Sequence, residues 1–283
     1  MMREVARRLL GRPDRAVLQD RGQEFFGRHL DALIDDDLDR AVLSAMFSGA
    51  AAITALGPPP EGQLLQDALA AGVVSMTGRP RVFLEIGGGP PVDHSNTAAL
   101  DRLGWTGMVV EPNPVFADTY SESRSPRTHL LQAAVVGDPG ETCRMSLVVA
   151  GELSYVHDVV RPPDDVWASQ REAAVRAGRM VEVDVVAPGE VWERCVAMVG
   201  VPSYVSVDVE GGEIEILERM PWGSDRPMVV TAETSLETPR IAAMDRIMTN
   251  YGYIRVLRRA AQWDNWYLAA EAIESIQIPH RLE

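Results

Sequence analysis

A glycine-rich turn at the end of an apolar strand constrains this fold more than any other feature of the chain. Residues 82–89 read VFLEIGGG, and residues 108–114, about a helix and a strand later, read MVVEPNP. An apolar strand that ends in a glycine turn is how a doubly wound α/β sheet presents its backbone to a nucleotide-like ligand. A second strand that ends in an acid supplies a carboxylate for a ribose diol. The two motifs together predict an α/β domain that binds an adenosine-containing cofactor.

Strand patterns and helix patterns alternate from residue 81 onward. The strands are predicted near 81–86, 107–111, 128–136, 143–149, 181–186, 203–209, 227–233, 252–258 and 265–270. The helices are predicted near 95–103, 114–121, 188–199, 212–220 and 238–250. This alternation implies a Rossmann-like, doubly wound α/β fold with a mostly parallel sheet covered on both faces. Ligands bind such a sheet beyond the carboxyl ends of its strands.

The chain is predicted to have three parts. Residues 1–78 carry apolar residues at helical spacing, interrupted by GPPP at 57–60, and are predicted to be a helical extension that serves as a lid or a dimer contact. Residues 79–272 are predicted to form the Rossmann-like domain, with an insertion near 151–180 that contacts substrate or acts as a lid. Residues 273–283 are predicted to be a C-terminal tail.

Charge and composition exclude several classes of function. The 283 residues carry a formal charge of −14, which argues against a nucleic-acid partner because phosphates need clusters of basic residues. The sequence contains no lysine, which excludes Schiff-base catalysis. No apolar stretch is long enough to cross a bilayer, and the N-terminus lacks the pattern of a secretory leader. We therefore expect no membrane partner, a cytoplasmic location and a small-molecule substrate.

The glycine turn itself indicates which cofactor it can accept. Gly87, Gly88 and Gly89 let the backbone approach a ligand where a Cβ would clash. The next two residues, Pro90 and Pro91, have no N–H group, and a pyrophosphate needs N–H donors. The turn is therefore poorly suited to binding the phosphates of NAD, FAD or ATP. It favours a cofactor whose other end carries an amine and a carboxylate.

Side chains near the two motifs are candidates for contacts with the adenosine part. Glu111 ends its strand where a ribose-binding acid would lie. Gln132 could present its amide to the edge of an adenine, and the small Ala133 would leave room for the ring. Ser95 either contacts the ligand or caps a helix, and the sequence leaves both interpretations open.

Residues 205–213, which read VSVDVEGGE, hold the densest group of acids. Asp208 and Glu210 lie on one side of the strand if the strand continues through them. Glu233 ends another strand and lies next to Asp208 if the two strands are adjacent. Paired acids at strand ends can bind a metal, accept a proton or anchor an amine. Glu213 is expected to stabilise the start of the following helix.

These motifs resemble those of the FkbM-type methyltransferases, which use S-adenosylmethionine. The family pattern runs Asp-x-Gly-Ala-Asn-x-Gly, Glu-Pro-Asn-Pro, Ala-Ala-Val, Lys-x-Asp-x-Glu-Gly-x-Glu and a strand that ends in Glu. The chain matches this pattern, in the same order, with EIGGG at 85–89, EPNP at 111–114, AAV at 133–135, DVEGGE at 208–213 and Glu233. Two departures are Pro91, where the family has its second loop glycine, and Ser206, which replaces the usual lysine.

The resemblance implies a cofactor, a reaction and a set of site residues. S-adenosylmethionine would be bound by Glu85, Gly87, Gly88, Gly89, Ser95, Glu111, Pro112, Asn113, Gln132, Ala133 and Asp208. Its methyl group would pass in one SN2 step to a hydroxyl of a small molecule, such as a sugar or a natural-product intermediate, with a carboxylate assisting removal of the proton. The candidates for that base are Asp208 and Glu210, with His157 as an outside candidate. Asp208 and Glu233 are candidate ligands for Mg²⁺, a hard ion that suits oxygen donors.

Other functions remain open at this point. An NAD-dependent oxidoreductase is disfavoured by the two prolines after the glycine turn. A non-catalytic binding or assembly protein is permitted by the departures at Pro91 and Ser206. The N-terminal helices are a candidate homodimer contact and, together with the insertion, a candidate wall of the acceptor pocket. Trp105, Tyr155 and Trp167 are candidate aromatic residues of that pocket.

Overall fold

The computed structural model describes residues 34–157, 168–234 and 238–277, in which helices and strands alternate. The helices are α1 Asp37–Thr54, α2 Gln66–Thr77, α3 Ala98–Arg102, α4 Pro114–Ser123, α5 Ala168–Arg176, α6 Pro188–Val199, α7 Glu213–Arg219, α8 Thr238–Asn250 and α9 Ala270–Gln277, and a 3₁₀ turn spans Gly151–Leu153. The strands are β1 Val82–Ile86, β2 Thr106–Val110, β3 Thr128–Leu131, β4 Ala134–Val135, β5 Arg144–Val148, β6 Tyr155–Val156, β7 Met180–Val186, β8 Tyr204–Val207, β9 Val229–Glu233, β10 Tyr253–Val256 and β11 Asp264–Ala269.

In the described part of the chain, a seven-stranded sheet in the order β10-β11-β9-β8-β1-β2-β3 forms the centre of the molecule. β1 pairs in parallel with β2 and β8, β2 with β3, and β8 with β9, whereas β11 runs antiparallel between β9 and β10. The strand order reverses between β1 and β8, so the carboxyl ends of these two strands form the switch point at which doubly wound sheets bind ligands. The predicted Rossmann-like, mostly parallel α/β sheet is confirmed.

Helices and sheet share one hydrophobic core. Every residue of β1 is buried, as expected for a central strand covered on both faces. Helices α1, α2, α3 and α9 contact one another, and α6, α7 and α8 form a second group of neighbours. Residues from both groups pack with the sheet in a single cluster. No helix in the described ranges combines the length and the apolar character that spanning a bilayer requires.

Helices α1 and α2 belong to this core and do not form a separate extension. Val42, Leu43, Ala68 and Leu69 are buried in the same cluster as the strands. The boundary predicted at residue 78 therefore does not separate two cores, because helical spacing alone does not show what a helix packs against. Residues 1–33 lie outside the described residues, and the lid and dimer roles stay predictions.

The C-terminal tail predicted at 273–283 is in part a helix. Helix α9 continues directly from β11, and Ala272 and Ile273 are buried in the main core. Residues 278–283 lie outside the described part of the structure.

The strand predicted over 128–136 is broken into two strands that belong to different sheets. β3 stays in the central sheet, whereas β4 joins a second sheet in the order β4-β7-β5-β6. The insertion contributes β6 and α5 to this region, and residues 158–167 are not described. The sequence did not predict the second sheet, because alternating side chains identify a strand but not the sheet in which it pairs.

Two glycines set the distance between α1 and α2. A Cβ added to Gly72 would lie 1.9 Å from the carbonyl oxygen of Ala45, and one added to Gly49 would lie 2.1 Å from that of Ala68. Both contacts are with helix backbone, which cannot turn aside as a side chain can. The close packing of α2 against α1 therefore depends on the absence of side chains at both positions.

We expect Gly72→Ala to destabilise the protein by about 1–3 kcal/mol, the usual cost of overpacking a core. The measurement is urea unfolding, in which the midpoint should fall. Gly189→Ala is the matched control, because α6 has nothing within 4 Å of that added Cβ. Its midpoint should stay the same or rise, since alanine is favoured over glycine in a helix. Equal midpoints for the two variants would contradict this account of the helix crossing.

Candidate active site

A cleft of ≈ 970 Å³, which includes space open to solvent, lies at the carboxyl ends of the central strands. The residues predicted to bind the cofactor that line this cleft are Glu85, Gly87, Gly88, Gly89, Glu111, Pro112, Ala133 and Asp208. The other predicted site residues, which do not line it, are Ser95, Asn113, Gln132, His157, Glu210 and Glu233.

One end of the cleft is apolar. It is lined by Phe116, Ala133, Val135, Leu147 and Val156. The last two belong to β5 and β6, so the second sheet and the start of the insertion form part of this wall. Such a wall suits a flat, weakly polar group such as a purine base.

Glu111 lies beside the apolar end, directly after β2, and is only 4% exposed. Its Oε2 accepts the N–H of Gly89 at 2.7 Å, and its Oε1 accepts the N–H of Asn113 at 2.7 Å. Burial raises the pKa of Glu111 to about 7, against the opposite effect of the two N–H donors. Asn113 itself caps α4 through its side chain, which accepts the N–H of Val115. Glu111 thus joins the glycine turn to the turn that begins α4.

The N–H groups of the glycine turn are all used inside the protein. Those of Gly87 and Gly88 donate to the carbonyl oxygen of Val110, at 2.9 and 3.2 Å. That of Gly89 donates to Glu111, and the two prolines that follow have no N–H. The turn therefore has no backbone donor left for a phosphate, which agrees with the argument from the sequence.

Contacts within the protein already require the first two glycines. A Cβ at Gly87 would lie 1.6 Å from the carbonyl oxygen of Asp208. A Cβ at Gly88 would lie 2.4 Å from the hydroxyl of Tyr120. Gly89 has open space around it and a φ of 56°, a left-handed conformation that glycine adopts without strain.

Glu85 and Ser95 belong to a buried hydrogen-bonded group next to the cleft. Glu85 is 2% exposed, pairs with Arg124 at 3.3 Å and accepts the N–H of Asn96 at 2.9 Å. Burial raises the pKa of Glu85, and Arg124 opposes that shift. The hydroxyl of Ser95 faces Glu85 and accepts N–H groups at the start of α3. Of the two interpretations of Ser95, the structure therefore shows helix capping.

Asp208, Glu210 and Glu233 come together where β8 and β9 end. One carboxylate oxygen of each lies within 4.8 Å of those of the other two. Because β8 and β9 are adjacent, Glu233 lies next to Asp208, as predicted. β8 ends at Val207, and Glu210 has a φ of 61°. A turn, and not the two-residue period of a strand, therefore brings Glu210 to this cluster.

Asp208 and Glu233 form a pair of acids whose pKa values are both raised. Asp208 lies on the floor of the cleft, open to its solvent but surrounded by protein on its other sides. Burial, followed by the charge of Asp208, raises the pKa of Glu233 well above its ordinary value. Burial also raises the pKa of Asp208, and its hydrogen bond with Glu233 lowers it. Asp208 is the member of the pair that lines the cleft.

The other two acids of this segment are turned away from the cleft. Glu210 forms an ion pair with the buried Arg171 of α5 at 3.2 Å. Glu213 begins α7, where its carboxylate accepts the N–H of Val209 at 3.1 Å and pairs with Arg240 at 2.8 Å. These contacts hold the turn after β8 and the helix that follows it, as predicted for Glu213.

Two predicted site residues, Gln132 and His157, lie outside the cleft lining. Gln132 is exposed in the break between β3 and β4, because the chain there leaves the central sheet for the second one. His157 lies in the turn after β6, with its ring 6.3 Å from that of Tyr155 and outside the cleft lining. Tyr155 does line the cleft, whereas Trp105 is buried in the main core. Trp167 lies outside the described residues.

The sequence did not identify the residues at the other end of the cleft. Gln66, Trp263 and Asp264 line that end. Asp264 faces Glu233 across the pairing of β11 with β9, and burial raises its pKa to about 6. The signal available in the sequence was that Asp264 directly precedes the strand predicted near 265–270. Only the antiparallel direction of β11 brings the start of that strand to the cleft.

Residues 84–255 match the family model described as methyltransferase FkbM domain. A comparison with curated proteins gives no significant match. The chain is similar to an O-methyltransferase from Bacillus cereus in complex with SAH, at 13% identity over 87% of this chain and 96% of that one, with a TM-score of 0.32. It is also similar to a proposed O-methyltransferase from Klebsiella pneumoniae, at 10% identity over 85% and 94%, with a TM-score of 0.33. TM-scores this low add nothing to what the strand order shows.

The buried acids give an expected dependence of stability on pH. The pKa is raised to about 7 for Glu111 and to about 6 for Asp67 and Asp264, chiefly by burial. The folded protein keeps these protons at pH values where the unfolded chain, with ordinary pKa values near 4, has lost them. These groups therefore lower the free energy of unfolding as pH rises from about 4 to about 7.

The contribution of Glu111 can be separated with Glu111→Gln, which cannot titrate. We expect the urea midpoint of the wild type to fall more between pH 5 and pH 8 than that of the variant. Equal changes in the two proteins would show that Glu111 does not keep its proton in the folded state.

Proposed function

Since this chain belongs to the FkbM methyltransferase family, we propose that it transfers the methyl group of S-adenosylmethionine to a hydroxyl of a small molecule, such as a sugar or a natural-product intermediate. One observation carries the proposal. A single cleft passes from an apolar end, past the buried Glu111, to an acidic end at Asp208. Along S-adenosylmethionine, the adenine, the ribose and the positively charged methionine end follow each other in the same order.

The adenosine part of that cofactor fits the first half of the cleft. The apolar wall can cover the faces of the purine. Each oxygen of Glu111 accepts one N–H, and a carboxylate oxygen has a second lone pair for a ribose hydroxyl. Glu111 is therefore held in place by the protein and still able to bind the diol.

The glycine turn separates this proposal from that of an NAD-dependent oxidoreductase. A dinucleotide needs backbone donors at the first turn for its pyrophosphate. In this turn every glycine N–H is engaged within the protein, and two prolines follow. A cofactor without phosphates does not lose binding energy through this arrangement.

The side chains have three tasks in the reaction, since bound S-adenosylmethionine supplies a methyl group activated by its sulfonium. They must align the hydroxyl, exclude water and take the proton of the hydroxyl. Asp208 is our candidate for the proton acceptor, because it lines the cleft and Glu233 does not. Glu210 is tied to Arg171 and acts as a positioning residue for the turn that holds Asp208.

Thermal unfolding with S-adenosylhomocysteine and, separately, with NAD⁺ tests the cofactor. Binding at about 100 times the dissociation constant adds about 2.7 kcal/mol to the stability of the folded state. For a chain of this length we expect the product to raise the melting temperature by about 4–8 °C and NAD⁺ to leave it unchanged.

Glu111→Gln should reduce this rise, whereas Glu141→Gln, an exposed site outside the cleft, should keep it. A rise with NAD⁺ alone would favour the oxidoreductase. No rise with either ligand would favour a non-catalytic binding or assembly protein.

We also propose that the carboxylates at the ends of β8 and β9 can hold Mg²⁺. Asp208 and Glu233 were the predicted ligands, and the structure adds Glu210 as a third carboxylate within 4.8 Å. Mg²⁺ prefers oxygen ligands of this kind. The ion would have to compete with Arg171 for Glu210. Its chemistry would be to lower the pKa of the acceptor hydroxyl and to orient it.

We expect MgCl₂ to raise the melting temperature of the wild type above that in NaCl of equal ionic strength. Glu233→Gln should remove this difference, because it removes one charged ligand, and Glu141→Gln should retain it. A wild type that unfolds alike in both salts, with and without S-adenosylhomocysteine, would leave Asp208 as a base that works without a metal.

A further inference from the structure

Asp264 is a buried carboxylate without a positively charged neighbour among the described residues that contact it. Its side chain accepts hydrogen bonds from the amide of Gln66 at 2.6 Å and from the indole N–H of Trp266 at 3.3 Å. Both donors are neutral and both bond to the same oxygen, Oδ2. Asp264 is 7% exposed, and it lines the cleft. A buried carboxylate is costly unless a positive charge compensates it.

The position of Asp264 in the sheet separates it from the part of the cleft that we assign to the adenosine. Asp264 begins β11, and Glu111 follows β2, four strands away in the order β11-β9-β8-β1-β2. At about 4.8 Å between neighbouring strands, the two ends lie roughly 19 Å apart. The glycine turn and Asp208 lie between them. Asp264 therefore belongs to the end of the cleft that is open to the methyl acceptor.

The surroundings of Asp264 favour a positive ligand. Trp263 lines the same end, and the face of an indole attracts cations. Asp93 and Asp208 add negative charge to the lining. No arginine of the described residues lines the cleft, and its histidine, His94, is paired with Glu152 at 3.2 Å. A phosphate or carboxylate at this end would meet carboxylates and no counter-charge.

We propose that Asp264, held by Gln66 and adjacent to Trp263, binds a protonated amine of the methyl acceptor. This assigns the acceptor to the hydroxylated amines, such as amino alcohols and amino sugars, and excludes acceptors with an anionic group at this end. The inference rests on the proposed function, because it takes the opposite end of the cleft as the cofactor site. The amine is bound through its charge, and the methyl group still passes to a hydroxyl.

The experiment is a binding titration by ligand-observed NMR at pH 7.5, with the protein saturated with S-adenosylhomocysteine. The probes are glucosamine, glucose and glucuronate, which share a sugar ring and differ in charge. We expect glucosamine to bind at least about tenfold more tightly than glucose, as a charge-assisted contact allows, and glucuronate to bind weakest.

Asp264→Asn should remove the preference for glucosamine, because an amide of the same shape has no charge. Asp138→Asn, in an exposed turn outside the cleft lining, is the matched control and should keep it. Trp263→Leu is a second variant, which should weaken glucosamine binding without changing the charge. Equal binding of the three sugars, a preference for glucuronate, or no binding of glucosamine would each overturn the inference.

Calorimetry on the same samples separates this inference from the proposed function. Asp264→Asn should leave the affinity for S-adenosylhomocysteine within about twofold of the wild type. A loss of about tenfold or more would place Asp264 in the cofactor site and overturn the assignment to the acceptor. A wild type that does not bind S-adenosylhomocysteine would instead count against the proposed function.

Discussion

The close approach of Gly87 to the backbone of Asp208 is the contact on which the site depends. Any side chain at residue 87 would overlap the carbonyl oxygen of Asp208, 1.6 Å from the position of its Cβ. This approach lets the ends of β1 and β8 meet at the point where the strand order reverses. The glycine turn, Glu111 and the carboxylates after β8 thereby face one cleft, although more than 95 residues of sequence separate Glu111 from Asp208.

The acids in and beside the cleft fall into two groups with different surroundings. The first group pairs with arginines, in the combinations Glu85 with Arg124, Glu210 with Arg171 and Glu213 with Arg240. Within the described ranges Glu111, Asp208 and Asp264 have no arginine partner, and all three line the cleft. The paired acids hold loops and helix starts in place. The acids without an arginine partner are available to a ligand that brings hydrogen-bond donors or positive charge.

The sequence predicted the centre of the fold well, because its signals there are local. A short apolar run followed by glycine or an acid identifies a buried parallel strand and its carboxyl end, as at β1 and β2. The adjacency of Asp208 and Glu233 followed from the same pattern once their strands were taken as neighbours. The sequence did not show that Gln132 lies in a break between β3 and β4, because that break depends on pairing with a second sheet. The packing of α1, α2 and α9 into the main core also depends on distant contacts.

The sequence by itself determined the fold class, the family pattern, the glycine turn without free donors and the acids at the strand ends. These features follow from residue types at fixed short spacings, which act on the backbone next to them. Only the tertiary structure decided which acids are paired with arginines and which face the cleft, and only it brought Gln66 and Asp264 together across 198 residues. The reason is physical. The charge state and the availability of a carboxylate depend on burial and on neighbours that the folded chain supplies from distant segments.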